Sequence, residues 1–137
     1  MAKINPYLML NGTAKAAAEF YQKVFNGTIN NLLRYSDTGH ELPESAKDYL
    51  VHANLSFEEN TIMFSDALPG NEQIYGDQVT LAYVTHCPDQ AAKIFNALKD
   101  GGQILMDLQE TFFSPAFGSL KDKFGIIWQI STEKKEG

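Results

Sequence analysis

The sequence predicts an α+β fold in which one domain is made of two βαβββ modules. Two stretches with helical apolar spacing predict it, together with short alternating runs between turn residues and the recurrence of the same order in both halves. The chain has 137 residues, the size of one ordinary domain. The modules are expected at about 1–68 and 77–137.

Pro6 to Leu10 alternates weakly and reads as a strand. Asn11-Gly12-Thr13 stops it and offers Thr13 as an N-cap. Ala14 to Phe25 reads as a helix, with Ala17, Phe20, Tyr21 and Val24 at i, i+3, i+4 and i+7 facing inward. Asn26-Gly27 ends it, and Gly27 is the expected left-handed C-cap. Thr28 to Tyr35 reads as a second strand and Ser36 to Asp48 as a polar loop. Tyr49 to Phe57 and Thr61 to Ser65 are the third and fourth strands, joined by a turn at Glu58-Glu59-Asn60.

Ala67 to Gln78, with Pro69, Gly70 and Gly76, reads as a linker. The order then recurs. Val79 to Thr85 is a strand, Pro88 a first-turn proline, and Asp89 to Lys99 a helix with Ala92, Phe95 and Leu98 inward. Asp100-Gly101-Gly102 closes it. Gln103 to Leu108, Phe117 to Leu120 and Ile126 to Ser131 are the remaining strands.

Ala18-Glu19-Phe20-Tyr21 matches Ala92-Lys93-Ile94-Phe95 at an offset of 74, and His52 to Asp66 matches Phe117 to Ser131 at an offset of 65. Coincidence between two generic α+β halves would not bring order, caps and spacing into agreement together. A module of this size leaves a sheet face it cannot cover alone, so joining two is physically sensible.

The net charge of −6 argues against a nucleic-acid partner, because phosphate binding needs clustered Lys and Arg. Lys134 and Lys135 read as an isolated solvated pair. No stretch approaches the ~18–20 apolar residues of a membrane span. The N-terminus carries no charged-then-apolar signal pattern, so no membrane association and a cytoplasmic location are expected. Cys87 is the single cysteine and can form no internal disulfide. Its place before Pro88 could lower its pKa. With His86 as the one basic neighbour, a structural or incidental role is preferred.

Ala53, Leu55 and Phe57 alternate with His52, Asn54 and Ser56, and Ile126, Trp128 and Ile130 alternate with Ile127, Gln129 and Ser131. The apolar sets should pack under the helices and the mixed sets should line a concave surface. His52, Asn54, Phe64, Thr80 and Gln129 are the candidates for that lining. Gln109-Glu110-Thr111-Phe112-Phe113 sets a carboxylate and an amide beside aromatic rings. That mixture suits the wall of a small-molecule cleft, where apolar surface binds and a few polar groups orient.

Asn5-Pro6-Tyr7, Phe20-Tyr21, Val51-His52-Ala53-Asn54, Ile62-Met63-Phe64-Ser65-Asp66-Ala67, Gln109-Glu110-Thr111-Phe112-Phe113 and Asp122-Lys123-Phe124-Gly125-Ile126-Ile127-Trp128 span nearly the whole chain. In these motifs it resembles the PhnB-like branch of the glyoxalase/bleomycin-resistance/dioxygenase superfamily, also called vicinal oxygen chelate. The resemblance implies paired βαβββ modules forming a cupped eight-stranded mixed sheet, the glyoxalase-like fold, in a homodimer.

Metal-using members of that superfamily hold a divalent ion with four side chains. Motif alignment puts those positions at Pro6, Phe64, Thr80 and Gln129, and two of these cannot ligate through their side chains. No metal and no cofactor are therefore expected. Asp66 reads as a turn former. His40 and His86 are placed away from the lining.

Three functions are weighed. The first is metal-free binding of a small organic molecule by Tyr7, Asn54, Phe64, Gln109, Phe112, Phe113 and Gln129. The second is an enzyme using Glu110 and His52 as acid–base groups, or an unconventional metal site. The third is a scaffold whose own side chains fill its interior. The ubiquinone-methyltransferase label that some relatives carry finds no glycine-rich nucleotide loop after the first strand.

Overall fold

A computed structural model describes residues 2–39 and 41–133. His40, Lys134 and Lys135 therefore lie outside the described residues. The chain divides into two compact units, Met1–Ile74 and Tyr75–Gly137, with the boundary inside the expected linker.

The first unit runs β1 (Tyr7–Leu10), α1 (Ala14–Phe25), β2 (Thr28–Arg34), β3 (Leu50–Phe57) and β4 (Asn60–Asp66). Two short 3-10 turns, Tyr35–Thr38 and Glu44–Ala46, break the loop between β2 and β3. The sheet order is β1-β4-β3-β2, with β1 parallel to β4 and the other pairs antiparallel. The second unit repeats this plan with β5 (Leu81–Thr85), α2 (Pro88–Leu98), β6 (Gln103–Gln109), β7 (Phe117–Lys121) and β8 (Ile127–Thr132). Its order is β5-β8-β7-β6, with β5 parallel to β8.

Both helices form where the apolar spacing puts them, but their buried faces sit slightly differently. Ala14, Ala17, Ala18 and Tyr21 are buried on α1, while Phe20 and Val24 are only half-buried. On α2 the buried set is Ala91, Ile94, Phe95 and Leu98, and Ala92 is half-buried. Small alanines let α1 lie close on the sheet, and Tyr21 stacks on Phe64 with ring centroids 5.9 Å apart. Each large side chain buried in this way is worth about 1.5–3 kcal/mol. The second unit achieves close approach with a glycine. A Cβ on Gly118 would meet Phe95 Cε2 at 2.8 Å and Leu108 Cα at 2.9 Å.

Two cap expectations are corrected. Asn26, not Gly27, takes the left-handed conformation after α1, with φ 54°. Thr13 makes no side-chain cap bond. Asp66, at the end of β4, does that work instead. Its Oδ1 accepts from the N–H groups of Gly12 (2.8 Å) and Ala14 (3.0 Å), and its Oδ2 accepts from Leu50 N–H at 2.9 Å. Asp66 is therefore not a turn former. It is a buried tie between the β1–α1 loop, β4 and the start of β3. Burial pushes its carboxyl up from 3.8, and the three backbone donors pull against that shift.

The repeat is real, but its offset is not constant. Ala53 pairs with Phe64 on the helix-covered face, and Gly118 pairs with Ile130 on the corresponding face. Phe64 and Ile130, both 0% exposed, are thus the structural mates, a spacing of 66. The mate of Gln129 is Met63, not Phe64. Strand side chains alternate, so a slip of one residue moves a side chain to the opposite face.

Candidate functional site

In the first unit, α1 covers one face of the sheet and the other face carries Tyr7, Met9, His52, Asn54 and Met63. Register sets this arrangement. Tyr7 pairs with Met63, and Met63 pairs with Asn54, so the three form a row across β1, β4 and β3. His52 lies two residues before Asn54 on the same face, and Leu33 of β2 pairs with it.

The polar groups in this row are joined. Tyr7 Oη and His52 Nδ1 are 2.8 Å apart, and His52 Nε2 and Asn54 Oδ1 are 2.5 Å apart. β4 separates β1 from β3, so the Tyr7 and His52 side chains lean toward each other and together bridge about 9–10 Å of sheet. The rings meet edge-on, with centroids 5.5 Å apart. The result is a fixed chain of phenol, imidazole and amide on an open face bordered by the thioethers of Met9 and Met63. Of the expected lining, His52 and Asn54 stand here. Phe64 does not. It packs against Tyr21 beneath α1 with no exposed surface, which corrects its assignment as a ligand contact.

In the second unit, Gln129 lies on the face opposite Trp128 and Ile130, between Ala82 of β5 and Ser119 of β7. Thr80 precedes β5 and is half-buried. Gln109 ends β6, and Glu110 follows it, exposed. His52 belongs to the first unit and Glu110 to the second, so neither unit by itself builds the acid–base pair read from the sequence.

The aromatic loop after β6 is firmly built. Ser114, buried, holds Oγ 2.8 Å from Ala116 O and 2.6 Å from Thr132 O, which compete for its single hydrogen, and its oxygen accepts from Thr132 N–H at 3.2 Å. Thr111 N–H donates to Ser114 O at 2.9 Å, which closes the loop. Phe112, Phe113 and Phe117 stack edge-to-face in series, each centroid 5.1 Å from the next. Phe112 is 88% exposed although its loop is pinned. Phe112→Ala is therefore expected to change unfolding free energy by less than about 0.5 kcal/mol in urea titration. A larger loss would show that the ring serves the fold.

The sequence reading missed Met63 and Ser114. Met63 could have been found from strict alternation within its own strand. Ser114 lay in a loop, where a serine carries no signal of its own.

Among the described residues, no three His, Cys, Asp or Glu side chains cluster as a metal centre would need. Correcting the register replaces Phe64 by Met63 in the ligand set that the resemblance implies, and Pro6 by Tyr7, which pairs with Met63. Tyr7, Met63, Thr80 and Gln129 still offer neither imidazole nor carboxylate, so they do not fit a hard divalent ion. His86 Nδ1 lies 3.2 Å from Glu133 Oε2 at the exposed start of α2. Among the described residues, no helix is long and apolar enough to cross a membrane.

A family model described as 3-demethylubiquinone-9 3-methyltransferase matches residues 2–131. Protein YjdN of Escherichia coli K12 is 31% identical over 97% of both chains. Protein PA1353 of Pseudomonas aeruginosa superposes with a TM-score of 0.88 at 30% identity, covering 98% of this chain and 100% of the other. The PhnB protein of Bacillus cereus gives 0.81 at 28% identity, covering 96% and 99%. A glyoxylase/bleomycin resistance protein/dioxygenase domain from Frankia shares the fold, with a TM-score of 0.70 at 11% identity. With a family model spanning almost the whole chain, the protein belongs to the PhnB-like, 3-demethylubiquinone-9 3-methyltransferase-like family, and it shares the fold of glyoxalase/bleomycin resistance/dioxygenase proteins.

Proposed function

We propose that this chain binds a small organic molecule, without the usual metal, on the open sheet face of its first unit. The observation that carries this reading is the Tyr7–His52–Asn54 chain, held on an accessible face beside Met9, Met63 and Leu33. A few oriented polar groups set in flexible apolar surface are what a small-molecule site requires. The donor set at the family's metal positions supports the metal-free part.

A methyltransferase reading would need a place for a nucleotide-like methyl donor. The favoured anion position at the start of α1 is taken internally, because Asp66 accepts the Gly12 and Ala14 N–H groups. The space beside Gly12 is filled by Tyr49, whose Oη would lie 2.6 Å from an added Cβ. Both observations weigh against that reading. A second copy of the chain is proposed as partner, supported by Ile104, Leu105 and Met106, which stand exposed on the edge strand β6.

Thermal shift with small aromatic compounds, and separately with Mn²⁺, Fe²⁺, Ni²⁺ and Zn²⁺, tests the proposal. A ligand at a hundredfold its Kd adds about 2.7 kcal/mol of stability. The expected result is a rise in Tm with organic compounds and none with the ions, with no stoichiometric metal in the purified protein by mass spectrometry. One tightly held ion per chain would overturn the metal-free reading.

A further inference from the structure

We infer that Tyr7, His52 and Asn54 make a receptor for a neutral ligand that brings its own hydrogen-bond donor, a phenol- or enol-type hydroxyl. The inference deepens the binding role proposed above and rests on it.

The direction of the chain follows from what each atom can do. Asn54 Oδ1 can only accept, so His52 Nε2, in contact with it, carries the proton. A neutral imidazole holds one N–H, which leaves Nδ1 as an acceptor. Tyr7 is then the donor across the 2.8 Å contact. A phenol has a single hydrogen, and here it points inward. What Tyr7 presents outward is lone-pair capacity alone, on a side chain that is 43% exposed.

The selectivity follows. At Tyr7 Oη a ligand carbonyl or carboxylate would set lone pair against lone pair. A ligand hydroxyl would extend the chain, and successive hydrogen bonds polarise and strengthen one another. The neighbours on this face, Met9, Met63 and Leu33, carry no charge, so no counter-ion awaits an ionised ligand. Their thioethers and methyls suit a ring or alkyl body.

The test uses ¹⁵N-labelled full-length protein. NMR reads the His52 tautomer and follows titrations with phenol, anisole and benzaldehyde, which share a ring but differ in donor and acceptor. The expected tautomer is Nε2–H. Phenol should bind roughly three- to tenfold more tightly than anisole, the worth of one neutral hydrogen bond. Benzaldehyde should gain nothing over anisole. Tyr7→Phe should bring phenol down to the anisole level.

An Nδ1–H tautomer would overturn the inference, as would benzaldehyde binding as tightly as phenol, or a phenol preference indifferent to Tyr7→Phe. Equal affinities for all three compounds would overturn it while leaving the binding role intact. If no compound moves the Tyr7 and His52 resonances, both readings fall.

Discussion

Asp66→Ala is expected to lower the unfolding free energy by about 3–5 kcal/mol, measured by urea denaturation with far-UV circular dichroism. Three backbone N–H groups, of Gly12, Ala14 and Leu50, lose their acceptor at once. A buried donor left unpaired costs about 1–3 kcal/mol. Two of the three belong to the entry of α1, so that helix should fray first, and its amides should lose hydrogen-exchange protection before those of β3. Asp66→Asn separates shape from charge. Its carbonyl oxygen can keep Gly12 and Ala14, but its NH₂ would face the Leu50 N–H, donor against donor. The expected loss is about 1–3 kcal/mol.

The two proteins should also differ in their response to pH. Burial raises the folded pKa of Asp66 above 3.8. Between 3.8 and that raised value the native state binds more protons than the unfolded chain, so stability falls as pH rises through the window. The contribution is fully present below 3.8 and lost above the folded value. Relative to Asp66→Asn, which does not titrate, the natural protein should therefore gain stability as pH falls toward 3.8. A gap that narrows on acidification would show that the hydrogen bonds, not burial, control this carboxyl.

The role of Asp66 shows where sequence reading stops. Its three donors come from the β1–α1 loop and from β3, positions 16 to 54 residues away, and only the folded sheet brings them together. The same is true of Tyr7 and His52, 45 residues apart and joined across an intervening strand. Elements with a local cause were legible. The α1 range was read from apolar spacing and its flanking turns, and Ala53, Leu55 and Phe57 declared their face by alternation. The repeat was legible in order but not in phase. The first β-hairpin turns through Glu58 and Glu59, whereas its counterpart loops from Asp122 to Ile126. Unequal turns shift the strand that follows, and one offset carried across them put Phe64 on the wrong face.

The longer turn rests on a second buried carboxylate, which gives the other large expected effect. Asp122 Oδ1 accepts from Phe124 N–H at 2.9 Å and Ile126 N–H at 3.1 Å, and Oδ2 accepts from Trp128 Nε1–H at 2.9 Å. The carboxylate thus shapes the turn and anchors the indole of β8, which is 3% exposed. Asp122→Ala should cost about 2–4 kcal/mol, because it strands the buried indole N–H and frees the turn. Trp128→Phe removes that N–H and some packing, with a loss of about 1–3 kcal/mol. The informative protein carries both changes. Once phenylalanine stands at 128 there is no indole donor to strand, so the combined loss should fall short of the sum by about 1–2 kcal/mol. A double-mutant cycle in guanidinium, followed by circular dichroism because the tryptophan is gone, reads that difference. Strict additivity would mean that Asp122 acts on the Phe124 and Ile126 amides alone. The β7–β8 register would then depend on the turn and not on its link to the core.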